Sequence, residues 1–171
     1  RGTCVLFGDG AGAAYLEESD KGIISVVQGS IGKKGMVLNC ESRRTHNIFT
    51  EAGIEHDYLH MDGQEVYKFA VRQCPKCLLE ALEKADMTAD DIDYFVLHQA
   101  NVRIIESVAK RLKAPIEKFP MTLGYTGNMS AASVPVMLDS LVRDGGLKRG
   151  DKVAMSAFGA GLTYGAIVLE W

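Results

Sequence analysis

Three places in this 171-residue chain hold residue types that do chemistry where strands end. His98 closes the apolar run Tyr94-Phe95-Val96-Leu97 and precedes a helical pattern. Asn128 closes the glycine-punctuated loop 122–128 and also precedes a helical pattern. Gly159-Ala160-Gly161 forms a tight turn between two strand-like runs. In α/β proteins, ligand and catalytic groups gather at such strand ends, where side chains and backbone N–H groups meet in a crevice. An imidazole transfers protons or donates hydrogen bonds near neutral pH, and an asparagine amide donates without titrating. Each has an ordinary account as well: a capped or core histidine, and an asparagine at a helix N-cap. Position and residue type leave the two readings level.

Other motifs have weaker contexts. Gly8-x-Gly10-x-Gly12 follows a strand-like run, but a dinucleotide loop needs a helix to open directly after its glycines. Residues 13–17, Ala-Ala-Tyr-Leu-Glu, read as a second strand, so a hairpin turn is expected there. Cys74-Pro75-Lys76-Cys77 has the spacing of a redox or zinc pair. Both cysteines fall on the apolar stripe of a helical pattern and no second such pair exists, which points to core packing. His56 and His60 stand four apart, but Gly53, Asp57 and Gly63 disfavour a helix and no third ligand is evident. No metal site is expected. Neither Ser130 nor Ser156 has the flanking glycines of a hydrolase elbow.

These residues must be positioned by ordinary globular elements. Apolar residues make up 47% and charged residues 24%, the balance of a packed domain. A net charge of −3 argues against nucleic acid as a partner. No apolar run approaches the ~20 residues that span a bilayer. Four irregularly spaced cysteines point to a reduced, cytoplasmic protein. Residues 3–7, 13–17 and 22–28 read as strands, and 62–85 as a long helix with one buried stripe and a kink at Pro75. Then come a strand at 93–97, helices at 99–112 and 130–143, and strands at 152–158 and 163–170. This order predicts a layered α/β arrangement in one domain spanning 1–171. Residues 3–7 read as a buried strand with nothing before it, so a preceding segment is expected.

The local strings are more specific than their spacing. Val96-Leu97-His98-Gln99-Ala100-Asn101-Val102-Arg103-Ile104 closely resembles the His-Gln-Ala-Asn motif of the β-ketoacyl-acyl carrier protein synthase III family. Gly127-Asn128-Met129-Ser130-Ala131-Ala132-Ser133 resembles its Gly-Asn-Thr-Ser-Ala-Ala-Ser motif, with Met129 in place of threonine. Ala157-Phe158-Gly159-Ala160-Gly161-Leu162-Thr163 is similar to its C-terminal glycine turn, and residues 7–13 to the strand opening its second half.

The resemblance implies a thiolase-like α/β fold, layered, with a central mixed β-sheet covered by helices, this chain being the C-terminal of its two halves. It implies a decarboxylative Claisen condensation that initiates fatty acid synthesis, in which an acyl group taken from acyl-CoA onto a cysteine is attacked by malonyl-acyl carrier protein. On that pattern His98 and Asn128 donate hydrogen bonds to the malonyl thioester oxygen. Ala160 matches the oxyanion-hole glycine through its backbone N–H, a role alanine fills if the position needs no positive φ. Phe158 would pack beside the nucleophile. Lys68, Arg103, Lys110 and Arg111 would form a basic surface for the acidic carrier protein. No cofactor is implied, and the complete enzyme would be a homodimer. One departure matters: the family's nucleophilic cysteine sits in an Ala-Cys-x-Gly turn of the first half, and Cys4, Cys40, Cys74 and Cys77 all lack that setting. The chain alone is therefore not expected to form the acyl-enzyme, and the absent first half would supply the nucleophile. A related polyketide- or quinolone-type condensing enzyme, and a non-catalytic half-fold that binds a partner, are the alternatives.

Overall fold

The computed structural model of the chain describes residues 3–40 and 58–171. Its centre is a four-stranded sheet in the order β1 (Ile23–Ser30), β6 (Thr163–Glu170), β5 (Lys152–Gly159), β4 (Tyr94–Leu97). β4 runs parallel to β5 and the other neighbours are antiparallel, so the sheet is mixed. In β1 the alternation of a half-buried strand is plain: Ser25 and Val27 are buried, while Ile24 and Val26 face out. The Ser25 hydroxyl spends its proton on the Ala81 carbonyl at 2.6 Å, which ties the strand to the helix beneath. A two-residue ladder joins β2 (Leu38–Asn39) to β3 (His60–Met61) beside this sheet.

One face of the sheet carries α1 (Gly63–Lys84) and α2 (Val102–Leu112). Asp62 starts α1, its carboxylate accepting the N–H groups of Gln64 and Glu65 at 3.1 Å each. Val66, Phe69, Ala70, Cys74, Leu78 and Leu82 form the buried stripe. Each large apolar side chain so buried stabilises the fold by roughly 1.5–3 kcal/mol. α1 runs on through Pro75, where proline has no N–H to give the Val71 carbonyl. The Arg111 guanidinium donates to that carbonyl at 3.0 Å, so the orphaned acceptor becomes a tie between α1 and α2. α2 ends at Lys113 in the left-handed conformation. A short α3 (Leu123–Thr126) follows, and then α4 (Ser133–Arg143), which covers the other face of the sheet over β4 and β5 through Met137 and Leu141.

The structure departs from the sequence reading at its start. Residues 3–7 are not a buried strand: they form a turn, Val5 is 80% exposed, and among the described residues the only ladder contact is a single parallel bridge from Phe7 to Asn128. Residues 13–17 form no strand either, and no hairpin turn joins the two stretches. β-branched and aromatic composition favours a strand only where a neighbouring strand can pair with it, and none of the described strands lies alongside. The glycines there serve close approach instead. A Cβ on Gly8 would lie 2.0 Å from the Thr126 carbonyl oxygen, and one on Gly12 would lie 2.6 Å from the Pro135 ring. The helix expected at 130–143 opens as a tight 3₁₀ turn over Ser130–Ala132. His56, half of the His56–His60 spacing, lies outside the described residues.

Candidate active site

β4 places His98. The strand buries Phe95, Val96 and Leu97, and the His98 N–H continues the parallel pairing by donating to the Ser156 carbonyl at 2.9 Å. The chain then turns through Gln99, whose fully buried amide donates to the Leu97 and Pro120 carbonyls and accepts the Thr122 N–H. Asn101 caps α2 through the Arg103 N–H at 2.9 Å. The imidazole of His98 lies edge-on to Phe158, with ring centroids 5.3 Å apart. Its Nδ1 is 2.7 Å from the Ser133 hydroxyl, on the first turn of α4. Burial pushes the imidazole pKa down to about 4, so the ring is neutral at pH 7.

Asn128 is held by its backbone from both sides. Its N–H donates to the Leu6 carbonyl at 2.9 Å, and its carbonyl accepts the Gly8 N–H at 3.0 Å. Its side-chain Oδ1 accepts the Ser130 N–H at 2.8 Å. That bond orients the amide, leaving the Nδ2 hydrogens as the groups available to a ligand. Ser130 adopts a φ of 52°, a left-handed conformation that costs a serine on the order of 1 kcal/mol.

Both residues line one pocket of about 300 Å³, together with Phe158, Gly159 and Ala160. The positive φ of the β5–β6 turn is taken by Gly161 at 122°, and Ala160 is not among the left-handed residues. The alanine is therefore unstrained, and among the described residues no acceptor receives its N–H. Sequence position alone had separated His98, Asn128 and Ala160; the fold brings them to one wall. Two of the four cysteines, Cys74 and Cys77, are buried in the core beneath, at 3% and 1% exposure. Burial pushes the Cys74 thiol up to about 12 and also raises that of Cys77.

The basic residues divide. All four are exposed, and what differs is their partners: among the described residues Arg103 and Lys110 on α2 have no ion pair. Lys68 on α1 pairs with Glu65 at 2.9 Å, and Lys34 joins the same carboxylate at 2.8 Å. These two ammonium groups hold the Glu65 carboxyl down at about 2. Arg111 is engaged with the Val71 carbonyl. The sequence reading gave no role to Gln99 or Ser133, which position the two site loops. Both stand inside the quoted motif strings, Gln99 next to His98 and Ser133 at the end of Gly127–Ser133, and that was the signal that could have found them.

Comparison with known proteins agrees with this arrangement. Residues 82–171 match the model of the family described as 3-oxoacyl-[acyl-carrier-protein (ACP)] synthase III C terminal. The chain belongs to this family. Residues 1–35 match the companion model, 3-oxoacyl-[acyl-carrier-protein (ACP)] synthase III, so the Gly8–Gly12 segment falls in the other model of the synthase III pair. A synthase III relative, the β-ketoacyl-[acyl-carrier-protein] synthase III of Synechococcus sp., is 48% identical over 177 residues, covering all of this chain and 52% of the relative. The solved synthase III structure from Aquifex aeolicus superposes with a TM-score of 0.84 at 34% identity, covering the whole chain and 52% of that structure. That from Thermus thermophilus gives 0.83 at 39% identity, covering the whole chain and 53% of that structure. The fold is thus the thiolase-like layered α/β fold, and the chain spans about half the length of the synthase III relatives it matches.

Proposed function

We propose that the protein catalyses the decarboxylative condensation of an enzyme-bound acyl group with malonyl-acyl carrier protein, the step that initiates fatty acid synthesis, and that this chain carries the decarboxylating half of the site. The acyl group is taken from acyl-CoA onto a cysteine in the half of the relatives' length that this chain does not span. The malonyl carboxylate then leaves as CO₂, and the electron pair of the broken C–C bond moves onto the thioester as an enolate. His98 and Asn128 donate hydrogen bonds to the enolate oxygen. The enolate carbon attacks the acyl thioester and expels the cysteine thiolate, with the Ala160 N–H receiving the oxyanion of the tetrahedral intermediate. Donors fixed before the charge develops stabilise the transition state more than the ground state.

The observation that carries this reading is that His98 and Asn128 line one pocket, with the Asn128 side-chain Oδ1 accepting the Ser130 N–H so that its amide presents hydrogens. The names of the relatives support a β-ketoacyl product carried on acyl carrier protein. The same reading carries no cofactor, a docked acyl carrier protein beside α2, and a cytoplasmic homodimer completed by the first half of the fold. In the whole protein, His98→Ala and Asn128→Ala should each slow malonyl decarboxylation by about 10²–10³-fold, the worth of one oxyanion donor, and leave acylation by acyl-CoA intact. Decarboxylation at the wild-type rate in either variant would remove that residue from the site.

A further inference from the structure

Ser133 is fully buried, and its hydroxyl oxygen has three polar neighbours. The Gln99 N–H lies 3.2 Å away, the Ser130 carbonyl oxygen 2.9 Å, and His98 Nδ1 2.7 Å. Two of these have fixed characters: Gln99 N–H only donates and the Ser130 carbonyl only accepts. His98 Nδ1 can do either, and a hydroxyl has one proton to give. If that proton goes to Ser130, Nδ1 must carry the ring proton, and Nε2 is left with a bare lone pair. If it goes to Nδ1, the ring proton resides on Nε2.

Three features favour the second arrangement. The Ser130 carbonyl already receives the N–H of Ser133 itself, so it is not orphaned when the hydroxyl turns away. A separation of 2.7 Å is usual for a hydroxyl donor and short for an N–H donor, whose contacts centre near 2.9–3.0 Å. The 2.9 Å to the Ser130 carbonyl is, by the same measure, long for a hydroxyl donor. The imidazole is also neutral at pH 7, so it has a single proton to place.

We propose that Ser133 is a positioning residue: its hydroxyl donates to His98 Nδ1 and thereby fixes the imidazole as the tautomer that presents Nε2–H to the substrate oxygen. The inference rests on the reading that His98 is a donor, and it explains how a neutral histidine fills that role. A histidine with its proton on Nδ1 would meet the enolate oxygen with a lone pair and repel it. The fixed proton on Nε2 makes the ring, like the Asn128 amide, a donor that needs no ionisation to act.

The test is ¹⁵N NMR of the histidine side chains in the whole protein, with His98 assigned by its loss in His98→Gln, joined to the kinetics of malonyl decarboxylation. The expected result is an Nε2–H tautomer for wild-type His98. Ser133→Ala should lose that single tautomer and lower kcat by about ten- to a hundred-fold with KM little changed, and Ser133→Thr, which keeps the hydroxyl, should restore both. Wild-type His98 found as the Nδ1–H tautomer overturns the proposal, as does wild-type kcat in Ser133→Ala. Should Ser133→Ala fail to fold, the wild-type tautomer and the Ser133→Thr kinetics decide. Failure here is separable from failure of the proposed function. A decarboxylation-dead His98→Ala alongside an Nδ1–H wild type removes only the role of Ser133, whereas a fully active His98→Ala removes the site itself.

Discussion

A histidine packed between a phenylalanine ring and a buried serine is poorly hydrated, and its charged form suffers for it. Burial lowers the His98 pKa from the ordinary 6.5 to about 4. Between those values the unfolded chain binds a proton that the folded chain does not. Stability therefore rises with pH across that window and is lost as pH falls through it; above 6.5 both states are neutral and His98 adds no pH dependence. The slope from this one group is at most about 1.4 kcal/mol per pH unit. Denaturation of the whole protein in urea at a series of pH values should show the wild type losing more stability than His98→Gln between pH 6.5 and 4. Carboxylates titrate in the same range in both proteins, so the difference between them isolates the imidazole. Equal slopes would mean that the ring is hydrated in the folded state. The same neutrality bears on the proposed activity, in which a donor that carries no charge would keep its role through the physiological range.

At the scale of elements, the pairing of α1 with α2 separates two uses of a basic residue. The Arg111 guanidinium, itself exposed, fills the acceptor that Pro75 leaves open at Val71, whereas Arg103 and Lys110, exposed on the same helix, make no such tie among the described residues. Arg111→Met should cost roughly 0.5–1.5 kcal/mol of stability, read as a shift in the urea midpoint, and leave acyl carrier protein affinity unchanged. Arg103→Glu combined with Lys110→Glu should weaken carrier protein association at least about tenfold at low salt, with the gap closing as ionic strength rises. Weakened binding by Arg111→Met at unchanged stability would instead support a docking role for that residue. The sequence showed why α1 and α2 exist, because each buries a periodic apolar face such as Val66, Phe69 and Ala70, and why β4 exists, because its short apolar run is buried on both faces. It did not show that residues 3–7 lie beside Asn128 rather than in a strand, since Val5, Leu6 and Phe7 have strand composition whether or not a partner is present. Nor did it show the partners of Ser133, which become visible only when two distant loops meet at His98.

For the whole molecule, the proposed condensation turns on where the acyl group would rest. Cys74 and Cys77 are buried with thiols held protonated, so neither offers a thiolate at neutral pH. Cys4 and Cys40 are exposed, Cys4 in a turn and Cys40 directly after β2. Meanwhile His98 also borders a second, more open space of about 760 Å³ lined by Ala131, Val134, Phe158 and Tyr164. Next to it the outer face of β1 leaves Ile24 and Val26 at 42% and 48% exposure. A site with donors on one side and an uncovered apolar face on the other fits a nucleophile that arrives from the part of the fold this chain does not span. Incubating the whole protein with radiolabelled acyl-CoA, digesting it and mapping the label should place the acyl group on a cysteine outside these 171 residues. This chain expressed alone should take up none. Label on Cys4 or Cys40 would overturn the division of labour between the two halves and make this chain an acyl acceptor in its own right.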